Sequence, residues 1–246
     1  MKTIKYIIPF LLISILSCNQ EAHRDVEVRL GNFLVENTAI NLKLTSERDH
    51  KSKILNYGEL SSYIKIKPGI YEVEITADSK PILKKKFGFA SGGKFSVFVY
   101  GTLANATQVN QTTSTSKLHQ IVSGEEAHTT NGYLPQLRLL DDHYEGGNNT
   151  AQLRWVNLVP FEKSFKSESV SDSKTDFGTA AYGNTHKAQK FKEGNYTFSW
   201  NLKDSPIVRV EKKQAVVKKR LYTFFLIPNM GAYGSLRVVV GESSNK

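Results

Sequence analysis

Cysteine is almost absent from this chain of 246 residues, in which Cys18 is the only one. One thiol forms no intrachain disulfide and no zinc site of the kind that several cysteines build. The six histidines lack the His-x-His and His-Glu-x-x-His spacings. Neither a Gly-x-Ser-x-Gly motif nor a glycine-rich phosphate loop is present. The sequence therefore predicts that the protein is not an enzyme, with no catalytic residues, no metal ligands and no cofactor.

An apolar run long enough to cross a bilayer is also lacking. The run at residues 6–16 is shorter than the roughly 20 residues that a transmembrane helix needs. It follows Lys2 and Lys5, as in a secretory signal peptide, and leads to Ile-Leu-Ser-Cys at residues 15–18. This ending resembles the lipobox of bacterial lipoproteins. The resemblance implies cleavage after residue 17 and lipidation of Cys18; the alternative is an ordinary signal peptide with a chance cysteine.

Composition bounds the size and class of the mature protein. Removal of residues 1–17 leaves 229 of the 246 residues, enough for one large or two ordinary domains. Apolar residues make up 39% of the chain and aromatic residues 11%, which suffices for packed cores without disulfides. The formal charge is +10, or about +8 without Lys2 and Lys5. In an exported protein this charge favours acidic polysaccharide or lipid headgroups as partners, rather than nucleic acid.

The sequence repeats itself at a constant offset of 125 residues. Glycine, proline, tyrosine and other identities recur without a gap. The matched pairs are Arg29 and Arg154, Asn32 and Asn157, Tyr57-Gly58 and Tyr182-Gly183, Lys65 and Lys190, Lys67 and Lys192, Gly69 and Gly194, Tyr71 and Tyr196, and Pro81-Ile82 and Pro206-Ile207. A constant offset over this span indicates two copies of one domain.

Each copy alternates apolar and polar residues in short segments separated by turns, which predicts strands. The predicted fold is all-β, with two tandem immunoglobulin-like β-sandwich domains after a lipoprotein signal peptide. The predicted organisation is a signal peptide at 1–17, a lipidated tether at 18–24, a first sandwich at 25–104, a polar flexible insert at 105–136, a connecting strand and turn at 137–149, a second sandwich at 150–241 and a tail at 242–246.

Residues 57–71, 93–101 and 137–142 carry a resemblance to a known family. They resemble domain-of-unknown-function family 4397, which consists of tandem immunoglobulin-like repeats in bacterial envelope proteins. The resemblance implies an exported pair of β-sandwiches with no established activity. Two departures are a loop at residues 33–38 without proline and Asn41 where the family has an acid. Residues 153–157 and 193–196 are more faintly similar to the periplasmic accessory proteins of alginate O-acetylation.

Three groups of side chains are candidates for a site. Asp141, Asp142 and His143 combine two carboxylates with an imidazole, but their place at a strand end predicts that they only solvate a loop. The tyrosines that recur in both copies could stack on sugars, although core or corner positions are more common for them. The basic residues are candidates for polyanion contact, or else they protect exposed edge strands. They are Lys84, Lys85, Lys86, Lys212 and Lys213.

Taken together, these features predict a non-catalytic, lipid-anchored cell-envelope protein that serves binding, adhesion or scaffolding. The alternative is an accessory protein of exopolysaccharide O-acetylation, as in alginate synthesis. Expected partners are the membrane, through the lipid on Cys18, and a cell-surface polysaccharide or an envelope protein. Asn19 is not the aspartate that retains enteric lipoproteins in the inner membrane, so the outer membrane is favoured. The predicted location is the periplasmic or the exposed side of that membrane.

Overall fold

The computed structural model describes residues 24–35, 39–103, 133–162, 164–171, 174–205, 207–230 and 235–244. These residues form strands joined by turns and loops, so the predicted all-β fold is confirmed. The predicted signal peptide, the lipidation site Cys18 and most of the predicted insert lie outside the described residues.

The first sandwich contains nine strands in two sheets. They are β1 (Val26–Val35), β2 (Ala39–Thr45), β3 (His50–Asn56), β4 (Glu59–Leu60), β5 (Ile64–Ile66), β6 (Gly69–Ala77), β7 (Lys80–Phe89), β8 (Lys94–Thr102) and β9 (Gln136–Asp141). One sheet has the order β4-β1-β8-β9, with β5 also paired to β1, and the other has the order β3-β2-β6-β7. The strand β9, expected as a connector, pairs with β8 and belongs to this sandwich.

The second sandwich repeats the same arrangement. Its strands are β10 (Ala151–Asn157), β11 (Ser164–Val170), β12 (Lys174–Ala181), β13 (Thr185–Phe191), β14 (Gly194–Leu202), β15 (Val208–Val216), β16 (Arg220–Pro228) and β17 (Leu236–Ser244). The sheet orders are β13-β10-β16-β17 and β12-β11-β14-β15. In an immunoglobulin constant domain the first two strands share a sheet. Here β1 and β2 belong to different sheets of the first sandwich, and β10 and β11 to different sheets of the second. The strand β1 pairs in parallel with β8, and β10 pairs in parallel with β16.

The duplication extends to individual hydrogen bonds. Buried Asn32 donates to Leu55 O at 3.0 Å, and Asn157 donates to Ala180 O at 3.1 Å. Each asparagine side chain also accepts a hydrogen bond from the backbone N–H two residues later, at 3.1 Å in both copies. These asparagines satisfy buried backbone groups where the first strand of each copy ends. This structural role explains why asparagine occurs at the same position in both copies.

Each sandwich encloses its own core between its two sheets. The first core is mainly aliphatic, with Val28, Leu42 and Val73 among its fully buried residues. The second core is more aromatic and contains Trp155 and Trp200, whose rings meet edge to face at 6.3 Å. Both cores arise from alternating apolar residues on one face of each strand.

A third apolar cluster joins the two sandwiches. The sheet that contains β1 and β8 packs against the sheet that contains β10 and β16, which makes four layers. At its centre Phe225 stacks on Phe33 at 4.7 Å and meets Phe98 edge to face at 5.2 Å. The inner strands are therefore buried on both faces, which accounts for their nearly continuous apolar runs.

Corresponding strands of the two sandwiches, such as β1 and β10, point the same way, so the body has two distinct ends. At the amino-terminal end, where β1 and β10 begin, Lys94 Nζ donates to Ser244 O at 3.0 Å. At the distal end, where those strands finish, Tyr57 Oη donates to Pro228 O at 2.9 Å. The ten residues of β1 span about 33 Å between the two ends.

Candidate functional site

A charged cluster lies buried between the sandwiches. The carboxylate of Asp142 has no solvent-exposed surface and lies 3.2 Å from Arg29 Nη2 and 2.6 Å from Arg154 Nη2. Tyr63 Oη donates to the same carboxylate at 2.7 Å, and Ser96 Oγ also donates to it. Since Arg29 and Arg154 occupy equivalent positions in the two copies, one acid serves both repeats.

The hydrogen bonds around the two arginines are nearly symmetric. Arg29 Nε donates to Ser96 Oγ at 2.6 Å, and Arg154 Nε donates to Thr223 Oγ1 at 3.0 Å. Arg29 Nη1 donates to Glu242 O at 3.0 Å, and Arg154 Nη1 donates to Asp141 O at 2.7 Å. Each arginine thus binds a backbone carbonyl of the other sandwich.

The symmetry is broken at Asp142 itself. Asp141 lies opposite Phe95 in β8, and Glu242 lies opposite Tyr222 in β16, so Asp142 corresponds to Ser243. The Ser243 hydroxyl donates to Asp142 O at 2.9 Å. The duplicated positions therefore differ, with an acid in one copy and a hydroxyl in the other, which limits repulsion between carboxylates at this interface.

The prediction that Asp142 only solvates a loop is wrong. Asp141 and His143 are exposed, and the His143 backbone N–H donates to Asp141 Oδ1 at 2.8 Å. Asp142 faces the other way and is covered by the second sandwich, a contact that the local sequence does not reveal. Burial lowers the pKa of Arg154, and Asp142 opposes that shift. Burial, and then the charge of Asp142, raises the pKa of Tyr63. With these groups paired inside the protein, the cluster stabilises the interface.

The predicted basic residues lie on strands β7 and β15, which are edge strands of the two outer sheets. Three spacings of about 10 Å between stacked sheets separate these layers, so the two runs do not form one patch. Lys84 forms ion pairs with Glu72 at 3.4 Å and Glu74 at 3.3 Å, and hydrogen bonds to these carboxylates raise its pKa. Lys85 Nζ lies 5.4 Å from the centre of the Phe87 ring. Lys212 and Lys213 lie opposite the central strand β14. Polyanion contact by these lysines stays a prediction.

The tyrosines near the β5–β6 and β13–β14 turns have corner positions. Tyr71 Oη donates to Lys67 O at 3.0 Å, and Tyr196 Oη donates to Lys192 O at 3.2 Å. Both hydrogen bonds fasten a side chain to the turn that precedes its own strand. They correspond to the predicted structural role rather than to stacking on sugars.

The other repeated tyrosine lies at the interface in both copies. Arg237 Nη2 donates to Tyr57 O at 2.9 Å, and Arg138 donates in the same way to the carbonyl of Gly183, which follows Tyr182. Each sandwich therefore sends an arginine from its last strand to the other sandwich's Tyr-Gly turn. Burial raises the pKa of both Tyr57 and Tyr182.

A row of aromatic rings leads from this interface to solvent at the distal end. Tyr182 meets Tyr100 edge to face at 5.7 Å and Tyr133 at 4.9 Å, and the Tyr133 ring lies 4.6 Å from that of Phe161. Phe161 is 61% exposed. Both Tyr133 and Phe161 adopt positive φ angles, 67° and 68°, which are uncommon for residues with a side chain. Strained backbone of this kind persists only where the surrounding packing holds it in place, and such residues cluster at binding sites.

Beside Phe161 a cleft of about 500 Å³ opens at the distal end, and we call it the distal cleft. Its walls combine an aromatic ring, carboxylates, an ammonium group and hydroxyls. The lining residues are Phe161, Glu162, Ser164, Leu202, Lys203, Asp204 and Ser205. An apolar ring face with polar groups around it suits a ligand that has both an apolar face and hydroxyls. Sequence reasoning missed this site because it joins two loops about 40 residues apart, neither of which has a periodic pattern.

Two further kinds of feature, a metal-binding cluster and a membrane-spanning helix, are absent from the described ranges. No group of three or more His, Cys, Asp and Glu side chains in these ranges is placed to hold a metal ion. No helix among the same residues has the length and apolar character that a bilayer crossing requires.

Comparisons with known proteins reveal only distant similarity. No protein-family model and no curated protein matches the chain, so the resemblance to family 4397 stays a prediction. The Bacillus anthracis TIE protein is similar at 7% identity and a TM-score of 0.25; the chain covers 34% of its length, with 83% of the chain aligned. A Bacteroides uniformis protein provisionally assigned to cell adhesion has 7% identity and a TM-score of 0.26, over 92% of this chain and 98% of that protein. The fimbrial anchor protein Mfa2 of Porphyromonas gingivalis has 7% identity and a TM-score of 0.24, over 89% and 98%. At these scores the similarity does not extend to a shared ligand or partner.

Proposed function

We propose that this chain is a non-catalytic envelope protein, held at the outer membrane by lipid on Cys18, that binds its partner with the distal end. The placement of two features at opposite ends of one body supports this most directly. Arg24, the first described residue, lies at the amino-terminal end, where its backbone carbonyl accepts a hydrogen bond from the Gly92 N–H at 3.2 Å. The distal cleft lies about one strand length, roughly 33 Å, away. Lipid six residues before Arg24 would direct the cleft away from the membrane.

The interface between the sandwiches makes the pair suitable as a rigid module. Eight buried apolar side chains from both sandwiches form the third cluster, and each contributes about 1.5–3 kcal/mol when buried. The Asp142 cluster adds ion pairs that span the same interface. A rigid pair carries a force or a position from its anchored end to its binding end without a flexible hinge.

The chemistry of the distal cleft favours a cell-surface polysaccharide as the partner. Phe161 offers an exposed ring for the apolar face of a sugar, while Glu162, Asp204 and Lys203 supply charged groups for its hydroxyls and substituents. An envelope protein is the other candidate for the partner that the distal cleft binds. The accessory role in exopolysaccharide O-acetylation stays an alternative, in which an acyltransferase would be the bound partner.

Binding by the mature chain, with Cys18→Ser to keep it free of lipid, tests this proposal. We expect retention on purified cell-surface polysaccharide, with at least a tenfold loss of affinity in Phe161→Ala. Ile54→Ala is the matched control, because Ile54 is 70% exposed on the outer sheet and lies outside the distal cleft. Equal binding by both variants would contradict a role for the cleft. Retention of an acyltransferase from envelope extract, instead of polysaccharide, would favour the accessory role.

The anchor has a separate test. Growth of cells with a labelled fatty acid should label the wild-type chain and leave Cys18→Ser unlabelled. Cell fractionation should then find the wild-type chain in the outer-membrane fraction and the variant in the soluble periplasm. Labelling of the Cys18→Ser variant would show that the lipid is attached elsewhere.

A further inference from the structure

We propose a second binding surface at the amino-terminal end, which holds the first sandwich against anionic lipid headgroups. This inference rests on the proposed function, since it requires the lipid anchor to place this end at the membrane. The surface is a cleft of about 690 Å³ between the β2–β3 turn and the β5–β6 turn, and we call it the basal cleft. Its cationic residues are Arg48, Lys67 and Lys86.

The place where the chain enters the described fold, at Arg24 and Asp25, selects the membrane as the partner. Arg24 N donates to Ser91 Oγ at 2.9 Å, and Asp25 pairs with Lys67 at 2.9 Å, so the chain enters the fold beside the basal cleft. Cys18 precedes Arg24 by six residues. An extended segment of this length reaches at most about 20 Å. A lipid on Cys18 therefore keeps the basal cleft close to the headgroups.

Charge at this end complements an anionic surface. Arg48 and Lys86 are exposed, and within the part of the chain that the structure describes they form no ion pair. The cleft also contains Glu47 and Glu72, but Glu72 already pairs with Lys84 at 3.4 Å. Arg24 and Lys65, both exposed, add positive charge next to the cleft. A lysine or arginine near an anionic membrane strengthens binding about fivefold, with strong dependence on salt.

An exposed apolar side chain accompanies these charges. Ile70 is 70% exposed, lines the basal cleft and lies opposite Gly88, which has no side chain to cover it. An isoleucine in this position can enter the boundary between headgroups and acyl chains while the cations bind phosphates.

The second repeat lacks this apolar side chain and provides an internal control. Lys192 occupies the place of Lys67, but Asn195 replaces Ile70 and Glu193 replaces Pro68. Asn195 is also exposed at the amino-terminal end. The copy that carries the tether therefore has the features suited to lipid, and the other copy has polar residues in their place.

The experiment measures membrane contact at these two equivalent positions. Every described strand follows residue 25, so the mature chain contains the whole folded body. With Cys18→Ser as background, Ile70→Cys and Asn195→Cys each offer one thiol for an environment-sensitive dye. The dye is read with vesicles of phosphatidylcholine alone and with vesicles that contain 30% phosphatidylglycerol. We expect a blue shift at position 70 with anionic vesicles, and little change at position 195.

Charge variants complete the test. Arg48→Glu combined with Lys86→Glu, at the two cations of the cleft that form no ion pair among the described residues, should weaken partition to anionic vesicles at least 25-fold, from about fivefold for each cation. Lys84→Glu, at a lysine paired with Glu72 and Glu74, should weaken it much less. Binding that is equal for both vesicle types, or equal dye shifts at positions 70 and 195, would overturn this proposal. The proposed function fails by different results, namely unlabelled wild-type chain or unchanged partner binding in Phe161→Ala.

Discussion

Arg154 Nη2 lies 2.6 Å from Asp142 Oδ1 across the interface between the two sandwiches. The same carboxylate lies 3.2 Å from Arg29 Nη2, the equivalent group of the first repeat. One buried acid thus pairs with both arginines that the duplication supplied, where the sandwiches meet. This arrangement, together with the third apolar cluster, joins two repeats with separate cores into the single body that the proposed function requires.

Removal of the acid should therefore destabilise the interface strongly. Asp142→Asn leaves two largely buried arginines without their countercharge, which costs about 3–5 kcal/mol in buried ion pairs. We expect denaturant unfolding to separate into two transitions, one for each core. Asp141→Asn, at the exposed neighbouring position, should change the free energy of unfolding by less than about 0.5 kcal/mol. A loss below 1 kcal/mol in Asp142→Asn would count against this role.

The two buried asparagines provide a matched pair of substitutions. Asn32→Ala and Asn157→Ala each leave a buried carbonyl and a buried N–H without their side-chain partner. We expect each to reduce the free energy of unfolding by about 2–6 kcal/mol, since each of the two unsatisfied groups costs about 1–3 kcal/mol. Denaturant unfolding of each variant measures its loss. If only one of the two variants were destabilised, the two positions would not be structurally equivalent.

Three half-buried tyrosines predict how stability depends on alkaline pH. Burial raises the pKa of Tyr57, Tyr63 and Tyr182 in the folded protein above the ordinary value of about 10. Their contribution to stability is fully present below pH 10 and is lost as the pH rises through the folded-state values, because the unfolded chain ionises first. Each should lower the free energy of unfolding by about 1.4 kcal/mol per pH unit above 10.

Denaturant titrations between pH 9 and pH 11 measure this slope. Tyr63→Phe should make the slope shallower by the contribution of one tyrosine, about 1.4 kcal/mol per pH unit. Absorbance at 295 nm should show that fewer tyrosines ionise near pH 10 in the folded protein than the chain contains. Ionisation of all the tyrosines near pH 10 in the folded protein would contradict the burial of these three side chains.

Much of the fold could be predicted from the sequence, because the relevant signals are local. Alternating residues such as those of β2 and β6 indicate strands. The recurrence of Asn32 at Asn157 reflects hydrogen bonds made within each copy. The constant offset of 125 residues could be read without knowledge of any contact between copies.

The interface and the distal cleft could not be predicted in the same way. Asp142 is indistinguishable in sequence from an acid in a loop, since the sandwich that buries it is contributed by residues after it. The apolar run at residues 95–100 did contain a signal, because residues on both faces of β8 are buried, which indicates packing on two sides. Phe161 and Leu202 come to line one cleft only through the tertiary fold, so no spacing along the chain reveals the cleft.

Site-specific photo-crosslinking in cells tests the central claim, that the distal end binds the partner, most directly. A photoreactive amino acid is placed at Phe161 in the distal cleft, or at Val170, which is 44% exposed at the amino-terminal end of the same sandwich. The account predicts that illumination links position 161, and not position 170, to polysaccharide or to an envelope protein. Crosslinking to such a partner from position 170 alone would contradict it.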